Sequence, residues 1–314
     1  MVPYIRAAVA HFSAKQRDVV APVVATRGST SGIKEFCDGI GVDLPDIVAS
    51  SRRMSRAEAK TCAVNKVTEV IEIVIGYGAV VVVARRGTEP FNLIPEHMYR
   101  ALALEVPDGG EFKTNPNLKW RDIHHSLPDT EINIFAPSGN SGTRSVFDDR
   151  IMQAGCRYIP EIRTVYAAAD RTARCTTPRA DGRFTEVDET IGPLDILRKA
   201  PVGAMAVIDR AQWIDEARGL VVFPVNGLLP TEQSIANDEY PLSRRLYFYF
   251  KKGHMRDRKG FGVARGLREF MTSVTSDEAM EPGGYFERKG VIVLSREERA
   301  RQRLEAISLT PMER

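Results

Sequence analysis

Ile134-Phe-Ala-Pro-Ser-Gly-Asn-Ser-Gly-Thr-Arg144 contains, in order, the end of a short apolar strand over 132–135, a loop of small polar residues, and the start of a helix. Phe147, Ile151 and Ala154 share one face of that helix. Strand, polar loop and helix in this order meet the needs of an anion. The first N–H groups of a helix have no intrahelical partner and carry a partial positive charge, so a phosphate-like group settles there without a full counter-charge. Gly142 permits close backbone approach, the hydroxyls of Ser141 and Thr143 add donors, and Arg144 adds a charge-assisted bond. Gly28-Ser29-Thr30-Ser31-Gly32 has the same form ahead of a helix over 31–38. Either loop alone is also an ordinary helix cap, so the capping and anion readings stand side by side.

Outward from this loop, short runs rich in Val and Ile alternate with helical patterns, which predicts βαβ units, a mainly parallel sheet and an α/β fold. The pattern predicts strands over 19–25, 47–50, 204–208, 220–225 and 246–250, and helices over 95–102 and 263–274. Residues 67–83 read as two strands broken near Gly76 and Gly78. Ser55 with Glu58, and Ser295 with Glu298, are capping boxes that start helices. Ile5, Ala8, Val9 and Phe12 recur at helical spacing, so the chain is expected to open on an amphipathic helix and not on a signal peptide.

The 314 residues suit two lobes better than one core. With 44 basic against 41 acidic residues the charge excess is slight. The densest basic run, 251–259, lacks interleaved stacking aromatics, which argues against nucleic acid as a partner. The apolar run 79–84 is far too short for a membrane span. The four cysteines form local pairs, Cys37 with Cys62 and Cys156 with Cys175. Spacing alone fits two disulfides in an oxidising compartment or four buried thiols in a reducing one. No tight Cys-x-x-Cys occurs, and His124-His125 has no third ligand type beside it, so neither a metal nor another cofactor is expected. A phosphate-ester hydrolase built on Ser141 would need a base that no histidine motif supplies.

The run from Ile134 to Arg144, followed by Phe147 and Ala154-Gly-Cys156, resembles the Ser-Gly-Thr signature of the phosphate-binding subunit of the bacterial phosphate ABC importer. Gly32-Ile-Lys-Glu-Phe-Cys37, Pro45-Asp-Ile-Val-Ala-Ser-Ser-Arg-Arg53, Lys119-Trp-Arg-Asp-Ile123, Tyr240-Pro-Leu-Ser-Arg-Arg-Leu-Tyr-Phe-Tyr249 and Gly266-Leu-Arg-Glu-Phe270 are similar to that family in order and spacing. The resemblance implies a two-lobed type II periplasmic binding protein fold joined by two crossover strands. Residues 1–83 and 243–314 would build lobe one, and 84–242 lobe two. It implies a monomeric, non-catalytic receptor that closes on inorganic phosphate and presents it to a membrane permease, and disulfides Cys37–Cys62 and Cys156–Cys175 in a periplasmic protein. The phosphate contacts it implies are Ser29, Ser51, Ser141, Gly142 and Thr143, and Thr30 beside Ser29 is a further candidate.

The departures from the family pattern shape the rest of the expectation. Pro137 stands where many members have an arginine, which passes the cation's role to Arg144 and Arg52; Arg179-Ala-Asp-Gly182 resembles a loop of the family that would add Arg179 as a further cation, although Asp-Gly is ordinary turn chemistry and favours an exposed turn there. Ser51 stands where many have an aspartate that accepts the proton of hydrogen phosphate and so repels sulfate. Met1-Val-Pro-Tyr4 resembles the middle of a loop that in the family follows a first strand, so that strand and its donors are expected to be absent. Losing two charge-assisted hydrogen bonds at roughly 1.5–3 kcal/mol each implies binding weaker by about two to four orders of magnitude, and hence a weak-binding or sensory paralogue as the alternative.

Overall fold

Pro3 lies in the first turn of a helix, where its missing N–H costs nothing, and it opens α1 (Val2–Lys15), whose buried stripe is Tyr4, Ala8 and Phe12. The computed structural model describes residues 1–16, 22–26, 28–188, 191–255 and 262–313. Helix α2 (Ser29–Phe36) follows, then β1 (Ile47–Ser50) and α3 (Arg56–Val64). Helix α3 begins with the expected capping box: Ser55 accepts from the Glu58 amide at 3.2 Å and Glu58 accepts from the Ser55 amide at 2.8 Å. Of the strand expected over 19–25, residues 19–21 lie outside the described residues and 22–25 form no strand.

Residues 67–83 do not form two strands. From residue 70 on they belong to one strand, β2 (Val70–Arg85), 16 residues long and almost wholly buried. Gly76 does not break it. A Cβ there would come within 2.2 Å of Val291 Cγ1 and 2.7 Å of the Ile292 carbonyl, in a backbone with φ +150°. The glycine lets another segment pass against the strand, and Tyr77 and Ile292 exchange both N–H···O bonds at 2.9 Å.

The chain then builds α4 (Pro95–Leu102), the hairpin β3 (Glu105–Asp108) and β4 (Glu111–Thr114), α5 (Trp120–Ile123) and β5 (Ile134–Pro137). Helix α6 (Gly142–Phe147) runs without a break into a π-helical turn over Asp148–Gln153 and a last α turn over Ala154–Cys156. Strands β6 (Phe184–Val187), β7 (Met205–Asp209), β8 (Leu220–Val222) and β9 (Ser243–Lys251) follow, with helices over Leu267–Val274 and Arg296–Ser308 near the end.

Two compact units result: Met1–Gly78 with Arg244–Arg314, and Ala79–Ser243. In the first, β1 pairs antiparallel with β9, Ser50 facing Tyr247, and Phe12 meets Phe270 edge to face at 5.3 Å. In the second, β5 runs parallel to β6 and β7, while β2 pairs antiparallel with β7 and β8. The fold class is α/β, but the sheets are mixed: among the named strand pairs of the described residues, β5 pairs in parallel with β6 and β7 and the others are antiparallel. The continuous Val/Ile runs that suggest a parallel sheet reflect burial of both faces, which Val80–Ala84 reach in antiparallel pairs. The core of this unit joins Val81, Val83, Phe135, Val187, Leu197 and Ile208. Disulfides Cys37–Cys62 and Cys156–Cys175 are formed, one inside each unit. Among the described residues no helix is long and apolar enough to cross a membrane.

Candidate functional site

The expected contact residues divide between the two units. In the first, Gly28 ends an irregular stretch and α2 starts at Ser29, so the first-turn amides of Ser29, Thr30 and Ser31 have no carbonyl of their own helix to reach. The end of β1 brings Ser51 beside this helix start. The Ser29 hydroxyl accepts from the Ser51 amide at 3.1 Å and lies 3.2 Å from the Ser51 hydroxyl, with both residues buried. Two hydroxyls sharing one such bond still hold a proton to donate.

Arg52 is not a loose cation. Its two terminal nitrogens fork onto Glu58 at 2.7 and 2.8 Å, and one of them also donates to the Thr30 hydroxyl at 3.2 Å. Although burial opposes it, the Arg52 fork together with the Ser55 amide holds the Glu58 carboxyl below its ordinary value. What Arg52 gives to the helix start is orientation: Thr30 accepts from it and keeps its own O–H to donate.

In the second unit, Ser141 caps α6, its hydroxyl accepting from the Thr143 amide at 3.2 Å and its carbonyl accepting from the Ser145 amide at 2.9 Å. Arg144 is 3% exposed. Its Nε donates to Asp148 at 2.7 Å, one Nη donates to Glu186 at 2.5 Å, and the guanidinium lies 4.8 Å from the centre of the Phe184 ring. Arg144, expected to supply charge to an anion, thus shares its charge with two carboxylates. Burial pushes the Asp148 carboxyl up to about 6 despite the arginine.

A pH effect follows. Below about 4, the ordinary aspartate value, Asp148 is protonated folded or unfolded; between about 4 and 6 the folded chain holds a proton that the unfolded chain lacks. The Asp148 contribution to stability therefore falls as pH rises through that window. In thermal midpoints measured from pH 4 to 6.5, the change with rising pH is expected to be more positive in Asp148→Asn than in the unaltered chain, and superimposable profiles would contradict the assignment.

Arg179 does not lie in an exposed turn: it is buried. It bonds Asp181 through Nε at 2.8 Å and Nη2 at 2.7 Å, and the carbonyls of Ala101 and Asn117 at 2.9 and 2.7 Å. It is a buried strut at the end of α4. Sequence reasoning missed these partners. Asp148 is legible as an i,i+4 mate of Arg144, but Glu186 lies 42 residues away on β6 and carries no local signal. His97, His124 and His125 stack in series, yet among the described residues no group of side chains is arranged to hold a metal ion.

Comparison with known proteins bears on these loops. A sequence model of the PBP superfamily domain matches residues 1–278. The chain is 27% identical over 280 residues to Protein SphX of Synechocystis sp., spanning 86% of this chain and 69% of that one. It is 26% identical over 170 residues to the Phosphate-binding protein PstS of Staphylococcus epidermidis, spanning 53% of this chain and 43% of the relative. In fold it is similar to the crystal structure of a possible phosphate binding protein from Planctomyces limnophilus, with a TM-score of 0.63 and 19% identity, covering 98% of this chain and 94% of the other.

Proposed function

Because the chain belongs to the PBP superfamily, we propose that it is a receptor for inorganic phosphate, working without catalysis as the substrate-binding protein of an ABC-type importer and delivering phosphate to a membrane permease. One observation carries the reading. Both units repeat the same arrangement, in which a serine-bearing loop opens a helix and the arginine next to it is already neutralised by carboxylate. Such a loop offers hydroxyl and amide donors to an anion, as helix starts do, without a bare cation. The contacts in this reading are Ser29, Thr30 and Ser51 in one unit and Ser141, Gly142 and Thr143 in the other, with Arg52 orienting Thr30. The names of the relatives support phosphate as the anion. The two disulfides fit a periplasmic home, where thiols are kept oxidised.

The test is calorimetric titration with inorganic phosphate. Ser29→Ala and Ser141→Ala each remove a donor to a charged group, a loss of roughly 1.5–3 kcal/mol, and are each expected to weaken binding about ten- to a hundredfold, with a stability loss of about 1–2 kcal/mol because each hydroxyl also accepts a backbone amide. A folded chain that gives no heat at millimolar phosphate would sink the proposal.

A further inference from the structure

The strongest arrangement left unused by this reading is the buried cluster of Arg144, Asp148, Glu186 and Phe184. Arg144 stands in the first turn of α6, two residues beyond the glycine of the anion loop. Glu186 and Phe184 are on β6, which lies parallel to β5, the strand that feeds the loop, with Glu186 in register with Ala136 and Phe184 with Ile134. Asp148 opens the π-helical turn that continues α6. One guanidinium therefore ties the helix that leaves the loop, one turn further along that helix, and the sheet from which the loop departs.

We propose that Arg144 is a positioning residue for the Ser141-Gly142-Thr143 loop, and that it sets phosphate affinity through Glu186 and Asp148 without touching the anion. The inference rests on the phosphate reading above. Its physical basis is the planar fork: a guanidinium engages two carboxylates along fixed directions while lying over an aromatic face, and an ammonium does not. The side chain is 3% exposed and Nε and Nη1 are committed, so its charge is spent inside the protein. The fixed link between β6 and the first turn of α6 holds the Ser141 hydroxyl and the neighbouring amides in place before an anion arrives, which removes an ordering cost from binding.

The experiment is a set of phosphate titrations at pH 8, where Asp148 is ionised, on the unaltered chain, Arg144→Lys, Arg144→Met, Glu186→Gln and the double variant Arg144→Met/Glu186→Gln. If Arg144 is a positioning residue, Lys and Met weaken binding alike, by about ten- to a hundredfold. Glu186→Gln weakens it less, and the double variant is no weaker than Arg144→Met, because coupled residues are not additive. Restoration of affinity by Arg144→Lys overturns the proposal in favour of a charge effect, and additive losses overturn it in favour of a direct contact. Ligand-free hydrogen exchange supplies an arm independent of phosphate. Amides over 141–147 should exchange faster in Arg144→Met and, to a smaller degree, in Glu186→Gln, which keeps the test open if the first variant fails to fold. Unchanged exchange over that stretch in Glu186→Gln overturns the proposal, whereas absence of phosphate heat in the unaltered chain overturns the phosphate reading and leaves the exchange result to judge Arg144.

Discussion

Gly155→Ala is expected to destabilise the unit formed by Ala79–Ser243 by about 3 kcal/mol or more, the upper part of the range for overpacking a filled interior. A Cβ at residue 155 would lie 2.0 Å from the Pro95 carbonyl oxygen, 2.4 Å from its carbon and 2.8 Å from the Glu96 nitrogen. All three are backbone atoms, so no side chain can swing aside. Pro95 opens α4 and Gly155 sits in the last turn of the long helix that begins at Gly142, so making room means separating two helix backbones. Those backbones hold buried Met98, Tyr99, Ile151 and Met152 in the same interior. For a unit of this size the loss corresponds to a fall of roughly 6–12 °C in its thermal midpoint. Denaturant unfolding of the variant checks this, and a midpoint equal to that of the unaltered chain would show that the helix pair can part without cost.

Arg179→Met should cost about as much or more, roughly 3–5 kcal/mol, by removing one partner from a buried set of charged and polar groups. The carbonyl of Ala101 belongs to the last turn of α4, where carbonyls have no intrahelical donor, and Arg179 satisfies it at 2.9 Å while also holding the Asn117 carbonyl at 2.7 Å. Methionine fills similar volume and donates nothing, so both oxygens lose a partner. The guanidinium bonds hold the Asp181 carboxyl below its usual value. That contribution is fully present above the ordinary aspartate value near 4 and is lost as pH falls through the lower folded value. In chemical denaturation at neutral pH the variant should unfold at markedly lower denaturant. A shift under 1 kcal/mol would mean that the carbonyls find other donors.

The contrast between these residues shows what was legible beforehand. Local rules were readable. Pro95 and the period after it bounded α4, Ser55 with Glu58 marked the start of α3, and Ser295 with Glu298 marked the start of the last helix, because caps and periodicity depend on residues within a turn or two. The serine loops of the candidate site are local in the same sense. Strand direction and the uninterrupted course of β2 were not readable, since Gly76 is explained by Val291 and Ile292, more than two hundred residues later. The surroundings of the arginines were hidden for that reason too. Arg144 and Arg179 look like ligands by type; besides the nearby Asp148 and Asp181, each holds partners 42, 62 or 78 residues away. The disulfide pairing came from the resemblance, because spacing left the thiol reading open.

The division of the chain also orders its assembly. The unit Ala79–Ser243 is one uninterrupted stretch, whereas β1 waits for β9, whose Tyr247 pairs with Ser50 only after the whole sequence of the intervening unit. A ribosome moving along the chain therefore releases the contiguous unit complete while the other still lacks the partner strand of β1, the Ile292 contact on Tyr77 and the Phe270 that meets Phe12. Domains fold as units when their sequence is in hand. The segments that precede the contiguous unit are thus made before it and finished after it, and until then the apolar stripe of α1 and the strand β1 have no completed core to enter.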